Sequence, residues 1–253
     1  MELHLTGKIV LITGGSKGIG KAIAKAFLDE GAIVAIVARD KEELEETRSE
    51  LGEIGIYSGD LTISTTREKV FRELIKEYGR IDILINNVGG SNGGAAMETD
   101  LTLFEQAMHL NYLSAVHFSQ MAAKEMKKIG GGSIINISSI YGRESGGKIT
   151  YNNSKAALIS FTKGFADEMI KEGIRVNGIA PGSILHPTGN WQKRMDENPE
   201  KIRRFVEQEI PAGRFGTVEE IANVAVFLAS EKASWIVGAT INVDGGQSRS
   251  NFW

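Results

Sequence analysis

Short apolar runs alternate with longer helical segments along almost the whole chain, and this alternation restricts the fold more than any other feature of the sequence. The runs are nearly continuous in valine and isoleucine, which is typical of strands buried on both faces. They are Lys8–Thr13, Ala32–Ala38, Ile54–Ser58, Ile81–Asn86, Ser133–Ser138, Arg175–Ala180 and Thr240–Val243. Alternating strands and helices predict right-handed βαβ units. We therefore predict an α/β fold, a doubly wound parallel sheet of about seven strands with helices on both faces.

The chain shows no linker, repeat or low-complexity tract, so we predict one domain that spans residues 1–253. The predicted helices are Gly18–Glu30, Lys41–Glu50, Thr65–Tyr78, Leu103–Ile129, Ser154–Glu172 and Val218–Leu228. One segment interrupts the alternation, because all four prolines fall between positions 181 and 211 and no strand is predicted there. This segment follows the sixth strand, at the edge of the sheet where open α/β folds bind ligands. We predict a substrate lid at residues 183–216, with a structural insertion as the alternative.

Composition excludes several classes of function. The net charge of −3 provides no basic surface for nucleic acid or for a polybasic membrane anchor. The chain has no cysteine and its histidines lack ligand spacing, so we predict no metal site. No apolar run is long enough to cross a bilayer, and the first residues lack the layout of a signal peptide. We expect a cytoplasmic protein that binds neither nucleic acid nor membranes.

A glycine-rich turn joins the first predicted strand to the first predicted helix. Its sequence, Thr-Gly-Gly-Ser-Lys-Gly-Ile-Gly, occupies residues 13–20. Glycine tolerates positive φ and, since it has no Cβ, lets backbone N–H groups approach a diphosphate closely. The helix N-terminus that follows offers free N–H donors and partial positive charge to the same anion. A plain tight turn is the alternative, but the flanking strand and helix favour a dinucleotide site of the Rossmann type.

The residues after the second predicted strand indicate the type of dinucleotide. Asp40 lies about twenty residues after the glycines, where a carboxylate often binds the ribose hydroxyls. However, Asp40 and Glu43 have the spacing of a capping box for the next helix. Arg39 and Lys17 place two cations near the adenosine ribose, which suits a 2′-phosphate. We therefore predict NADP(H) as the cofactor, and Asp40 keeps NAD(H) as the alternative.

Tyr151 and Lys155 are four residues apart in the segment after the fifth predicted strand. On a helix this spacing places both side chains on one face, where they can share a ligand. A tyrosine titrates near pH 10, which is too high for efficient proton transfer at neutral pH. A neighbouring ammonium group favours the phenolate and lowers that pKa. The pair therefore predicts acid–base chemistry, although such a pair alone is common.

Taken together, the motifs resemble the short-chain dehydrogenase/reductase family. They occur in the family's order and spacing over essentially the whole chain, and the most similar group comprises single-domain members resembling 3-oxoacyl-[acyl-carrier-protein] reductase. The residues that carry the resemblance are Thr13-Gly-x-x-x-Gly18-Ile19-Gly20, Asn86-Asn87-Val88-Gly89, Asn111, Ser138-Ser139, Tyr151-x-x-x-Lys155 and Pro181-Gly182. The resemblance implies an oxidoreductase that transfers a hydride between nicotinamide and a carbonyl or secondary alcohol carbon.

The resemblance also implies roles for individual residues. Tyr151 would be the general acid in reduction and the base in oxidation, and Ser139 would hydrogen-bond the substrate oxygen. Lys155 would orient the ribose and lower the pKa of Tyr151, and Asn111 would help to hold a water through which protons reach Lys155. Asp60 would contact the adenine. The implied cofactor-binding residues are Gly14, Ser16, Lys17, Gly18, Ile19, Gly20, Arg39, Asp60, Leu61, Asn87, Val88, Gly89, Tyr151, Lys155, Pro181, Gly182 and Ile184.

The sequence departs from the family pattern at three places. The family's serine lies thirteen residues before the tyrosine, whereas here Ser139 lies twelve before it and Ser138 thirteen. Neighbouring strand residues face opposite ways, and we choose Ser139 because Ser139-x-x-Gly142 matches the local pattern. Val88 replaces the usual alanine. His186 stands where many relatives have a threonine near the cofactor phosphates, and Thr188 is an alternative source of that contact.

These observations leave two enzymes as hypotheses. The first is an NADP(H)-dependent reductase of small carbonyl compounds, with 3-oxoacyl thioesters as candidate substrates. The second is an NAD(P)-dependent dehydrogenase of a sugar, polyol or cyclic alcohol, which the polar residues Arg143, Glu144, His186 and Asn190 favour. A dinucleotide sensor without catalysis would not need the Asn, Ser, Tyr and Lys set. By resemblance, helices Leu103–Ile129 and Ser154–Glu172 would pair across a two-fold axis in a homotetramer.

Overall fold

Seven parallel strands form one sheet in the computed structural model, which describes residues 2–251. The ends of the predicted domain, Met1, Phe252 and Trp253, lie outside the described residues. The strands are β1 (Ile9–Thr13), β2 (Ile33–Ala38), β3 (Gly55–Ser58), β4 (Ile83–Asn86), β5 (Gly132–Ile137), β6 (Ile174–Pro181) and β7 (Thr240–Val243). They lie in the order β3-β2-β1-β4-β5-β6-β7. The predicted fold class and all seven predicted strands are thereby confirmed, with small shifts at strand ends.

Helices cover both faces of this sheet, as predicted. They are α1 (Gly18–Asp29), α2 (Lys41–Leu51), α3 (Ser64–Tyr78), α4 (Leu101–Met108), α5 (Ser114–Lys128), α6 (Ile149–Met169), α7 (Asn190–Glu197), α8 (Pro199–Glu209) and α9 (Val218–Ala229). Among the strand residues, Val10 and Ile12 pack in one apolar cluster with α1 and α9, whereas Leu11 packs in another with α3, α5 and α6. Burying one such side chain stabilises the fold by about 1.5–3 kcal/mol. The alternation of buried side chains therefore explains why the strands have no polar face.

Two helices differ from their predicted bounds. The predicted helix Leu103–Ile129 is divided by a π-helical turn at His109–Leu113, which separates α4 from α5. Asn111 lies in this turn, and its side chain hydrogen-bonds the backbone N–H and carbonyl of Gly90. The helix predicted to begin at Ser154 begins at Ile149, so Tyr151 and Lys155 both lie within α6. The irregular turn and the earlier start each position a predicted site residue.

The strand order places an open crevice above the sheet. Strands β2 and β3 are added on one side of β1, and strands β4 to β7 are added on the other side. The crossover connections therefore diverge between β1 and β4. Ligands of doubly wound sheets bind at this switch point, outside the carboxyl ends of the strands. The segment 183–216 leaves β6 at the same edge and returns to its own start, because Leu185 N–H donates to Gly216 O and Gly216 N–H donates to Ser183 O.

Candidate active site

The glycine-rich turn is packed tightly at the end of β1. Gly14 has a φ of +67°, and a Cβ on Gly20 would lie 2.1 Å from the carbonyl oxygen of Gly14. The Asn87 side-chain amide donates to the carbonyls of Thr13 and Gly14 at 3.0 and 2.9 Å, which ties the turn to the end of β4. No side chain caps the N-terminus of α1. The turn is thus a cradle that only glycines fit, with free helix N–H donors of the kind that hold a dinucleotide diphosphate.

A cavity of about 690 Å³ lies beside this cradle. Predicted cofactor residues line it, namely Gly14, Ser16, Lys17, Gly18, Ile19, Gly20, Arg39, Leu61, Asn87, Val88 and Gly89. Asp60 does not line the cavity, although Gly59 and Leu61 on either side of it do. Its carboxylate instead accepts hydrogen bonds from the Thr62 N–H and hydroxyl, which lower the pKa of Asp60. The predicted contact of Asp60 with the adenine stays a prediction.

The two carboxylates after β2 have different partners. Asp40 caps α2, since its side chain accepts from the N–H groups of Glu42 and Glu43. The predicted capping box is wrong in one of its two hydrogen bonds. The Glu43 carboxylate points toward the glycine turn and not back to the N–H of Asp40. There it accepts from Lys17 Nζ at 2.8 Å and from Ser16 Oγ at 3.1 Å. Glu43 therefore lines the cofactor cavity and partly neutralises Lys17, which sequence reasoning missed.

His186 lies where this cavity meets a larger one. Its ring is 2.9 Å from the position that a Cβ on Gly18 would occupy, and it lines both cavities. Its Nδ1 is 3.2 Å from the Thr188 hydroxyl, and the Thr188 contact with the cofactor phosphates stays a prediction. Burial, and then the charge of Lys17, lowers the pKa of His186. The imidazole is therefore largely neutral in the chain alone at neutral pH.

The larger cavity, about 1420 Å³, contains the predicted catalytic hydroxyls. Ser139 and Tyr151 line it together, and a hydrogen bond with Ser139 lowers the pKa of Tyr151. Burial outweighs this effect and raises the pKa of Tyr151 to about 12. The Ser138 hydroxyl instead donates to the Lys155 carbonyl at 3.2 Å. The structure thus pairs Ser139, and not Ser138, with the Tyr151 phenol.

Lys155 is buried directly beneath Tyr151. Its Nζ lies 5.6 Å from the centre of the Tyr151 ring and donates to the Ile137 carbonyl at 2.7 Å. Burial lowers the pKa of Lys155 to about 7. In the chain alone the pKa of Tyr151 is raised, whereas the Lys155 pairing predicted a lowered value, because burial dominates. Asn111 Oδ1 and Lys155 Nζ face the same space beside Gly89, because a Cβ on that glycine would lie 2.9 Å from the first atom and 3.3 Å from the second. Asn111 itself does not line either of the two cavities.

The segment 183–216 forms one wall of the larger cavity. Trp191 of α7, Phe205 of α8 and Phe215 after α8 pack together, with ring centres 4.6 to 6.5 Å apart. Trp191 and Phe205 also line the cavity, together with Pro181, Gly182 and Ile184 of the predicted cofactor set. The segment therefore has a small apolar core of its own beside the catalytic hydroxyls.

Two polar residues predicted to border the substrate have structural partners instead. Arg143 donates to the Thr240 carbonyl. Glu144 accepts from the Ser248 hydroxyl and the Arg249 N–H, both at 2.9 Å. They bind β7 and the C-terminal segment, and neither lines a cavity. Sequence distance hides these partners, which lie about a hundred residues away in the chain.

Comparison with known proteins is consistent with this geometry. The sequence profile of a family described as enoyl-(acyl carrier protein) reductase matches residues 14–248. The 3-oxoacyl-[acyl-carrier-protein] reductase of Thermotoga maritima is 36% identical over 249 residues, 96% of this chain and 99% of that protein. The crystal structure of L-sorbose reductase from Gluconobacter frateurii, complexed with NADPH and L-sorbose, matches with a TM-score of 0.93 and 33% identity, covering 99% of this chain and 100% of that one.

A third relative carries a different cofactor. The structure of a 7α-hydroxysteroid dehydrogenase complexed with NADH and 7-oxo glycochenodeoxycholic acid matches with a TM-score of 0.90 and 33% identity, covering 98% of this chain and 97% of that one. These matches support a nicotinamide cofactor and do not decide between NAD(H) and NADP(H). Within residues 2–251, no helix combines the length and apolarity needed to span a bilayer, and no three His, Asp or Glu side chains are grouped to hold a metal.

Proposed function

This chain belongs to the short-chain dehydrogenase/reductase family, and we propose that it is an NADP(H)-dependent reductase of a small carbonyl compound. The observation that carries this proposal is the meeting of Ser139 and Tyr151 above buried Lys155, beside the glycine cradle. Two hydroxyls in one cavity suit a single substrate oxygen, such as that of a ketone or of the 3-oxo group of a 3-oxoacyl thioester. Bound nicotinamide would supply the hydride, and the glycine cradle fits its diphosphate.

The protein's own groups favour reduction at neutral pH. With its pKa raised to about 12, Tyr151 is protonated and can donate the phenol proton to the substrate oxygen. The Ser139 hydroxyl would hydrogen-bond the same oxygen as negative charge develops on it. Alcohol oxidation requires the phenolate, which burial disfavours here. We therefore expect alcohol oxidation to rise with pH through the neutral and alkaline range, and carbonyl reduction to fall only where Tyr151 begins to lose its proton.

A preference for NADP(H) is supported by Arg39 and Lys17 in the smaller cavity. Asp40 lines the same cavity and keeps NAD(H) as the alternative, although its Oδ1 accepts from two backbone N–H groups at the start of α2. Glu43 acts against the preference, since its charge lies 2.8 Å from Lys17. We expect Arg39→Gln to weaken NADPH binding and Glu43→Gln to strengthen it, with NADH affected little by the first change. Fluorescence titration of both cofactors measures this.

Turnover of NADPH and NADH against acetoacetyl thioesters, diketones and keto-sugars tests the proposal directly. We expect oxidation of NADPH, and loss of turnover in Tyr151→Phe with cofactor binding unchanged. Persistent turnover in Tyr151→Phe would contradict the role of Tyr151. The second candidate, a sugar or polyol dehydrogenase, is favoured by the similarity to L-sorbose reductase. Activity confined to keto-sugars or polyols would select it.

The assembly is a further part of the proposal. We propose a homotetramer, because the π-helical turn before α5 and helix α6 carry a partly exposed aromatic row of Tyr112, Phe161 and Phe165, whose neighbouring ring centres lie 6.2 and 5.0 Å apart. Exposed apolar side chains border the same helices, among them Leu113 and Ile170.

A cytoplasmic location is consistent with a chain that contains no cysteine. For the segment 183–216 we propose the role of a substrate lid.

A further inference from the structure

The larger cavity is lined by an excess of cationic side chains on its solvent side. Lys148 at the start of α6 and Lys193, Arg194 and Lys201 in α7 and α8 line it, whereas Glu197 is the one carboxylate among its lining residues. All five are exposed, while Ser139 and Lys155 in the same cavity are buried. The cations are therefore near the entrance, and Ser139 and Lys155 lie deeper. The whole chain carries a net charge of −3, so this excess is local.

We propose that the substrate is an anionic carbonyl compound, whose carboxylate or phosphate binds these cations while its carbonyl carbon reaches Ser139 and Tyr151. The inference rests on the proposed carbonyl reductase and names its substrate class. A compound with charge at one end and the carbonyl away from it would place each group beside a matching part of the cavity.

The partners of these cations support the assignment. Among residues 2–251, none of the four forms an ion pair, although Arg203 on α8 pairs with Glu200 at 2.7 Å. The Arg194 guanidinium lies 4.9 Å from the centre of the Trp191 ring, which lines the same cavity. Arg194 is thus held by an aromatic ring that lines the cavity, with its donors still available to an anion.

The positions of two of the lysines are also unfavourable without an anion. Lys148 is the N-cap residue of α6, and Lys201 lies in the first turn of α8. A cation near a helix N-terminus is opposed by the partial positive charge of the helix dipole. The cations of α7 and α8 also belong to segment 183–216, while Lys148 lies outside it. An anion between the two groups would relieve their repulsion and draw this segment toward α6.

Matched substrates test the inference. A series of straight-chain oxo acids and their neutral methyl esters would be reduced with NADPH at low and high salt. We expect kcat/KM for the acids to exceed that for the esters by about tenfold at low salt and to lose this advantage at high salt. A second comparison distinguishes a phosphate from a carboxylate as the bound anion. It sets kcat/KM for acetoacetyl-coenzyme A, which carries phosphates, against kcat/KM for the uncharged acetoacetyl thioester of N-acetylcysteamine.

Charge variants provide controls of opposite sign. The double variant Lys193→Gln with Arg194→Gln should raise KM for the acids about tenfold and leave KM for the esters unchanged. Glu197→Gln should lower KM for the acids. Equal turnover of acids and esters, unaffected by these variants, would overturn the inference and leave the reductase intact. If no carbonyl is reduced, the proposed function fails, and calorimetry of oxo-acid binding to the NADP⁺-loaded enzyme and its variants still decides whether the cations bind an anion.

Discussion

Ser138 and Ser139 are adjacent in the chain but contact different parts of the site. Ser139 is paired with the phenol of Tyr151, the predicted general acid, whereas the Ser138 hydroxyl donates to the Lys155 carbonyl at 3.2 Å. We expect Ser139→Ala to lower kcat by about 10²–10³, the usual cost of removing one donor from a developing oxyanion. Ser138→Ala is the matched control and should lower kcat far less. Steady-state kinetics with unchanged cofactor affinity would establish the difference, and the reverse ranking would contradict it.

We predict that His186 couples cofactor binding to pH. The ring lies against Gly18 at the cradle, and the charge that faces it there is Lys17. Burial and Lys17 lower its pKa in the free protein, and an arriving diphosphate would raise it. The complex then holds more protons than the free protein, so NADH binding should strengthen as the pH falls. This rise in affinity should begin at the pKa of His186 in the complex and end at its lower pKa in the free protein.

Fluorescence titration of NADH between pH 5.5 and about 8 measures this effect. NADH is chosen because the 2′-phosphate of NADPH itself titrates near pH 6. We expect affinity to rise by up to about tenfold per pH unit in the wild type and to stay flat in His186→Gln. If the affinity for NADH depends on pH equally in His186→Gln, the proton is bound by another group.

At the scale of elements, the sequence was informative wherever burial alone determines structure. The apolar runs gave all seven strands, because residues such as Leu11 and Ile12 are buried on opposite faces of one strand. The π-helical turn at Asn111 was not predictable, since it depends on hydrogen bonds to Gly90, which a distant loop supplies. The place of Glu43 beside Lys17 depends likewise on how α2 packs against the glycine turn.

The start of α9 anchors the end of the segment 183–216. The Thr217 hydroxyl and the Glu220 carboxylate form a capping box, and Arg214 binds the same carboxylate at 2.6 and 3.0 Å. We expect Thr217→Ala to destabilise the protein by about 1 kcal/mol, since an N-cap is lost. That corresponds to a fall in Tm of about 2–4 °C for a chain of this length, which calorimetry can measure. Thr217→Ser should restore the stability.

The same anchor should respond to acid. Hydrogen bonds from Arg214 and Thr217 lower the pKa of Glu220 to about 2. A group with a lowered folded pKa stabilises the protein above its unfolded pKa of about 4.5 and loses that effect as pH falls toward 2. The Tm difference between wild type and Glu220→Gln should therefore be present at pH 7 and shrink below pH 4.5. A difference that does not change with pH would mean that the carboxylate charge is not involved.

At the scale of the whole molecule, the proposed tetramer depends on the outer faces of α5 and α6. Gly164 lies on α6 beside the aromatic row and is exposed. A Cβ at this position would meet no atom within 4 Å in the single chain. Glycine costs a helix about 0.5–1 kcal/mol relative to alanine, so the single chain gives no reason for a glycine here. A close approach of a second subunit would give one.

We therefore expect Gly164→Glu to divide the tetramer into smaller species while the fold is retained. The introduced charge would be buried and unpaired at a subunit contact, whereas in a monomer it would be solvated. Sedimentation at working concentration measures the mass, and circular dichroism checks the fold. Gly94→Glu is the control, because Gly94 is also exposed with nothing within 4 Å and lies outside the helices. If the wild type sediments as a monomer, or Gly164→Glu keeps the wild-type mass, these helix faces are not the interface.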